Sequence, residues 1–141
     1  MRQKEHPKIY LYKRIVDAKL YIDKQYLSDL DINHIASEAC LSKFYFHRLF
    51  KQMYGITPHK YLTRLRIEKA KKLLESGATI SETCQSLGFS SMSSFNKLFR
   101  KYLKCNPSAY SSNAKALNKI VAKTPLDCIP RCFVMYMGWE K

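Results

Sequence analysis

An all-α fold is the prediction for this chain, and three features of the sequence carry it. Only four of its 141 residues are glycine, and apolar residues recur at the 3.6-residue rhythm of amphipathic helices. One stretch is used twice: "FHRLFKQMYGITPHKY" at 46–61 returns as "FNKLFRKYLKCNPSAY" at 95–110. Phe46, Leu49, Phe50, Pro58 and Tyr61 recur as Phe95, Leu98, Phe99, Pro107 and Tyr110, each 49 positions on. Finally, a capping residue and a proline, Thr57-Pro58 and Asn106-Pro107, follow both copies at the same distance from the Leu-Phe pair. Each copy therefore reads as short helix, tight turn, longer helix and Pro-started segment. That is a helix-turn-helix built twice.

The elements follow in order. Ile9–Lys24 carries Ile15, Val16, Leu20 and, further on, Leu27 at helical intervals. Asp31 can cap a short helix holding Ile32, Ile35, Ala36 and Ala39, and "CLS" breaks the pattern. Ser42 can cap the next helix, striped by Phe46, Leu49, Phe50 and Met53 and stopped by Gly55. Thr57 then caps a linker helix with Pro58 at its first position, where the missing N–H is harmless. This helix, 58–76, is expected to bury Tyr61, Leu62, Leu65, Ala70, Leu73 and Leu74, with Gly77 ending it. Thr79 and Glu82 match a capping box. "SLGFSS" turns the chain, and Ser91 can cap a helix striped by Phe95, Leu98, Phe99 and Tyr102. Ala36 and Ser42 match Cys84 and Ser90 at a shift of 48, so one extra residue sits near the second turn. The expected division is 8–57 and 77–111 as the two units, 58–76 as linker and 112–141 as a C-terminal extension. Within that extension, Cys132–Met137 is rich enough in β-formers to be one strand. A lone strand must pack back on the helices, pair with a second copy as a homodimer, or belong to something absent.

The charge is the largest compositional anomaly. Twenty-five Lys and Arg against 11 Asp and Glu give +14, a surplus that favours polyanions, nucleic acid first and anionic membrane second. The start, "MRQKEHPKIYLY", has no apolar core of a secretory signal, and no run suits a membrane span. Five scattered cysteines are most simply reduced thiols in a cytoplasmic protein, with Cys40 and Cys84 as small core residues. The four histidines form no ligand-spaced pair, and Cys128 and Cys132 lack a second pair, so neither metal nor cofactor is expected. Without a phosphate-cradling glycine loop or a Ser/His/Asp or paired-carboxylate arrangement, enzyme activity is not expected.

The ordered residues resemble the DNA-binding region of the AraC/XylS transcriptional regulators. Those that carry the resemblance are Ile35-Ala36, Ser42, Arg48-Leu49-Phe50-Lys51, Gly55, Pro58, Tyr61-Leu62, Arg66-Ile67, Ala70 and Leu73-Leu74. The set continues with Ile80, Glu82, Gly88-Phe89, Ser91, Phe95, Phe99, Pro107 and Tyr110, so it covers roughly Leu11–Ser111. The resemblance implies seven helices, two homeodomain-like units on a long linker helix, and one recognition helix from each unit in the major groove. It has three departures. Lys104 stands where the second copy usually has the glycine that Gly55 supplies in the first, so that helix end is expected to differ. Ser111 stands where an arginine often follows Tyr110, removing a phosphate contact. The separate sensing domain of most members has no counterpart here, as in the small single-domain members or the detached end of a longer regulator.

Candidate contacts follow from which helix faces the core leaves free. In the first recognition helix these are Lys43, Phe44, His47 and Arg48, with Lys51 behind them. Arg48 can grip guanine O6 and N7 with two bonds. His47 can donate to a base edge or simply be solvated; Phe44 can pack on a thymine methyl or cover the local core. The second helix offers Met92, Ser93, Asn96 and Lys97, with Asn96 suited to adenine and Lys97 to guanine. Phosphate contacts are expected from Lys51, Thr57, Lys60, Arg64, Ser90, Ser91, Arg100 and Lys101, some of them at capped helix starts. Arg66 is expected to be structural, a partner for Glu82 or Glu38.

The leading expectation is thus a sequence-specific regulator of transcription that binds double-stranded DNA through two tandem units, with RNA polymerase a further partner. The rivals are a basic protein binding DNA without sequence preference, and an adaptor that docks RNA polymerase with DNA secondary.

Overall fold

The structure is a computed structural model and describes residues 7–123. Among these residues there are seven helices and no strand: α1 (Pro7–Gln25), α2 (Ile32–Glu38), α3 (Lys43–Tyr54), α4 (Pro58–Glu75), α5 (Ile80–Ser86), α6 (Met92–Leu103) and α7 (Pro107–Lys123). The all-α expectation holds, and the strand expected at Cys132–Met137 lies outside the described residues. α7 runs through residue 112, where the composition changes.

Local chemistry sets the helix starts. Asp31, Ser42, Thr57, Thr79 and Ser91 all lie in extended backbone, and each side chain accepts a bond from an amide in the following turn. Each bond covers a donor that the helix itself leaves unpaired. At Thr79 the box is complete, because Glu82 Oε2 also accepts from the Thr79 amide at 2.8 Å. That amide, and then the Thr79 hydroxyl, hold the Glu82 carboxyl below its usual range.

The core is two clusters that share one helix. Ile15, Ala18 and Ile22 of α1, Ile32, Ile35 and Ala36 of α2, and Phe46, Leu49 and Phe50 of α3 close on Leu62 of α4. Further along α4, Ile67, Ala70 and Leu74 pack with Cys84, Leu87, Phe95 and Phe99. α4 is therefore the last helix of the first unit and the first helix of the second. A tyrosine marks the equivalence. The Tyr61 ring lies 5.7 Å from Phe50, and its hydroxyl donates to Asp23 of α1 at 2.6 Å. The Tyr110 ring lies 5.5 Å from Phe99, and its hydroxyl donates to Glu75 of α4. Burial first, then the Glu75 bond, push the Tyr110 phenol up to about 12.

Several expectations change on contact with the fold. In α1 the buried face is Ile15, Ala18 and Ile22, whereas Val16 and Leu20, and Leu27 just beyond its end, are 38%, 46% and 51% exposed. This helix is apolar on two sides, and packing against α3 and α4 selects the side where Ala18 permits close approach. Cys40 is exposed in the turn after α2, at φ 53, while Cys84 is buried as expected. Ser111 is buried, so its position faces inward. Arg66 is structural, but it binds neither Glu82 nor Glu38; its partners are backbone carbonyls.

Lys104 closes α6 as Gly55 closes α3. Lys104 sits at φ 61, ψ 12 and Gly55 at φ 76, ψ −11, and each amide donates to the carbonyl four residues back. The helix end therefore keeps its geometry, and the lysine bears a left-handed strain of roughly 1 kcal/mol. Lys104→Gly is expected to raise unfolding stability by about that amount, read from a denaturant midpoint. No gain would show that the lysine side chain offsets the strain.

Candidate nucleic-acid interface

Burial of Phe46, Leu49 and Phe50 fixes what α3 turns outward. Lys43, Phe44 and Arg48 are exposed and His47 is half-buried. Phe44 is 85% exposed, so it does not cover the core; it presents an apolar edge to whatever meets the helix. The Arg48 guanidinium carbon lies 5.2 Å from the centre of the Tyr45 ring. This cation–π contact limits the arginine's conformations while leaving its donors free. Tyr45 was not among the expected site residues. Its signal in the sequence is an aromatic three positions before the arginine, close enough to share a helix face.

His47 is not simply solvated. Its ring centre lies 5.5 Å from that of His59 on α4, and its covered Nε2 has no hydrogen-bond partner among the described residues. Burial, then His59 and Lys43, lower its pKa below the ordinary value near 6.5, so the imidazole is neutral at neutral pH. A base contact through Nε2 therefore requires the ring to turn. The unfolded chain binds this proton more readily than the folded one, so stability falls as pH drops through and below the ordinary histidine value. The melting temperature is expected to decline from about pH 7 to about pH 5.5, and His47→Gln to flatten that decline. An unchanged slope in the variant would assign the loss to other groups.

α6 buries Phe95 and Phe99 and leaves Met92, Ser93, Asn96 and Lys97 exposed, with Arg100 and Lys101 further along. Met92 and Asn96 share a shallow depression with Ile80, Ser81, Asn106 and Ser108. The starts of α5 and α7 therefore border the outward face of α6, which adds Ser81, Asn106 and Ser108 to the candidate surface. Sequence alone could not find them, since only the fold brings the three segments together.

Lys51, Lys60, Arg64, Ser90 and Ser91 are exposed, and Thr57 is half-buried. The hydroxyls of Thr57 and Ser91 accept capping bonds from the Lys60 and Ser94 amides at 3.4 and 3.1 Å. A hydroxyl used in this way still has its proton to donate to a phosphate oxygen. No helix among the described residues is long and apolar enough to cross a membrane.

This geometry is that of a double helix-turn-helix domain. Residues 35–113 match the protein family described as a helix-turn-helix domain. The chain is 37% identical over 91 residues to the probable transcriptional regulator LumQ of Photobacterium leiognathi, covering 64% of this chain and 37% of that protein. The C-terminal domain of AraT, a response regulator from Geobacillus stearothermophilus, superposes with a TM-score of 0.67 at 28% identity, covering 79% of this chain and 88% of that one. The DNA-binding domain of AdpA, a global transcriptional factor solved in complex with a target DNA, has the same fold. Its TM-score is 0.68 at 24% identity, over 80% of this chain and 97% of that one. The chain belongs to the AraC/XylS family of transcriptional regulators and carries the family's DNA-binding helix-turn-helix region. It spans about a third of the length of the curated relatives it matches.

Proposed function

We propose that this chain regulates transcription by binding a specific, asymmetric site in double-stranded DNA as a monomer, with α3 and α6 in adjacent major-groove segments. One observation carries the reading. Both helices bury an aromatic face, and both leave exposed, on the other, side chains able to read base edges. The major groove alone presents a distinct donor and acceptor pattern for each base pair. α4 has 18 residues, about 27 Å at roughly 1.5 Å each. That length suits neighbouring segments of a duplex whose turn is about 34 Å.

In this reading Arg48 takes a guanine, Phe44 lies against a thymine methyl, and Lys43 and His47 flank them. On α6, Asn96 takes an adenine and Lys97 a guanine, with Met92 and Ser93 adding weaker preference. Lys51, Lys60, Arg64, Arg100, Lys101 and the hydroxyls of Thr57, Ser90 and Ser91 hold phosphates and set register. The asymmetry of the site follows from the unlike chemistry of the two faces.

The test is selection of bound sequences from random duplexes, followed by gel shifts of selected and scrambled DNA at one fixed salt concentration. A clear preference for the selected duplex is expected, and an affinity ratio near unity would leave only non-specific binding. Lys51→Ala and Lys101→Ala are each expected to weaken binding to all sequences alike and reduce the salt slope by about 1. A sequence-dependent loss would move that lysine from the phosphates to the bases.

A further inference from the structure

Arg66, half-buried midway along α4, belongs to neither recognition face. Each of its three guanidinium nitrogens donates to a different backbone carbonyl: Nε to Tyr26 at 2.7 Å, Nη2 to Ser28 at 2.8 Å and Nη1 to Gly88 at 3.1 Å. Tyr26 and Ser28 follow α1 in the first unit, and Gly88 lies in the turn that leads into α6 in the second. The two segments also touch directly. Gly88 has φ +69, and a Cβ there would lie 2.9 Å from the Leu27 carbonyl oxygen and 3.3 Å from Arg66 Nη2. From this contact the path to the second recognition helix is short. The Arg66 guanidinium carbon is 6.0 Å from the centre of the Phe89 ring, which packs 5.0 Å from Phe95 of α6.

A single connecting helix leaves two bodies free to bend and twist about it. An attachment beside the helix axis removes that freedom, provided that it is rigid. A guanidinium suits the task because its donors are fixed in one plane, whereas the ammonium of lysine is a compact point charge. DNA makes the consequence specific. One base pair is about 3.4 Å of rise and roughly 35° of rotation, so a recognition helix displaced by that much meets the wrong edges.

We infer that Arg66 is a positioning residue: by clamping the 26–28 segment to the turn at Gly88, it fixes the separation and rotation of α3 and α6 and so sets the spacing between the two DNA segments this protein accepts. The inference rests on the two-groove reading above. Arg66→Lys and Arg66→Gln keep a donor at the position and are the variants to compare with the native chain. Each is measured on the selected site and on sites with one base pair inserted or deleted between the two segments. The native protein is expected to lose about tenfold or more in affinity at either altered spacing, the size of one mismatched contact or more. The variants are expected to lose about threefold or less while binding the native spacing more weakly. A purely structural role would lower melting temperature and all affinities together. An unchanged ratio between spacings therefore overturns the inference.

A second arm does not use DNA. Nitroxides carried on genetically encoded residues replace Gln52 of α3 and Lys101 of α6, both exposed, and electron–electron distances are measured. Both variants are expected to broaden the distance distribution of the native chain, and an unchanged width overturns the clamp. If native protein fails to distinguish selected from scrambled duplexes, the sequence-specific reading falls, and this arm still decides whether Arg66 holds the units together.

Discussion

Arg48→Ala is expected to lower affinity for the selected site by roughly ten- to a hundredfold, and to abolish the preference at one base pair. A bidentate arginine–guanine contact discriminates by about 1–3 kcal/mol, and Arg48 is the only arginine on the outward face of α3. The Tyr45 ring beneath it reduces the conformational freedom that binding would have to remove, so the full effect is expected. Binding to unrelated sequence should change little, because that depends on the net charge of +14, and Arg48 is one of 25 Lys and Arg residues that supply it. Lys97→Ala on α6 is expected to cost less discrimination. A lysine is a single point of charge on a flexible stem, and a thioether and a small hydroxyl at Met92 and Ser93 are expected to add only weak preference. Gel shifts with the selected duplex and with single base-pair changes separate the outcomes. Equal loss of discrimination from the two variants would reject the asymmetry, and untouched DNA affinity in Arg48→Ala would favour a protein-docking role instead.

What could be read from the sequence was what acts over a few residues. Asp31, Ser42, Thr57, Thr79 and Ser91 were legible as caps because each partner lies two or three positions on. The same holds for the outward residues of α3 and α6, since a helix that buries Phe46, Leu49 and Phe50 has its other face determined. The buried face of α1 was not legible, because Ile15 with Ile22 and Val16 with Leu20 are equally apolar and only the neighbouring helices choose between them. Arg66 shows the limit most clearly. Its partners lie 40, 38 and 22 residues away. Charge in a sequence advertises Glu38 and Glu82, whereas a carbonyl oxygen belongs to every residue and advertises nothing. His47 is a milder case: the residue was visible, but the neutral imidazole follows from burial and from His59 across the α3–α4 contact.

The largest expected effect on stability comes from removing a core ring. Phe50 is fully buried, with ring centres 5.8 Å from Phe46, 4.8 Å from Tyr54 and 5.7 Å from Tyr61. Phe50→Ala is expected to cost about 3–5 kcal/mol, a large part of the roughly 5–15 kcal/mol that holds a domain folded. Phe99, its counterpart 49 positions on, is equally buried between Phe95 and Tyr110, and the same cost is expected there. The two variants also test what α4 does. Loss of the second core would expose Ile67, Ala70 and Leu74, and a frayed C-terminal half of α4 supports Leu62 and Tyr61 less well at the other end. If the shared helix couples the units, Phe99→Ala should lower hydrogen-exchange protection in α3 as well as in α6. Wild-type protection of α3 in Phe99→Ala would mean two separately stable units on a tether. A tether would leave their relative position to whatever clamps them from the side, and it would shift that burden onto Arg66.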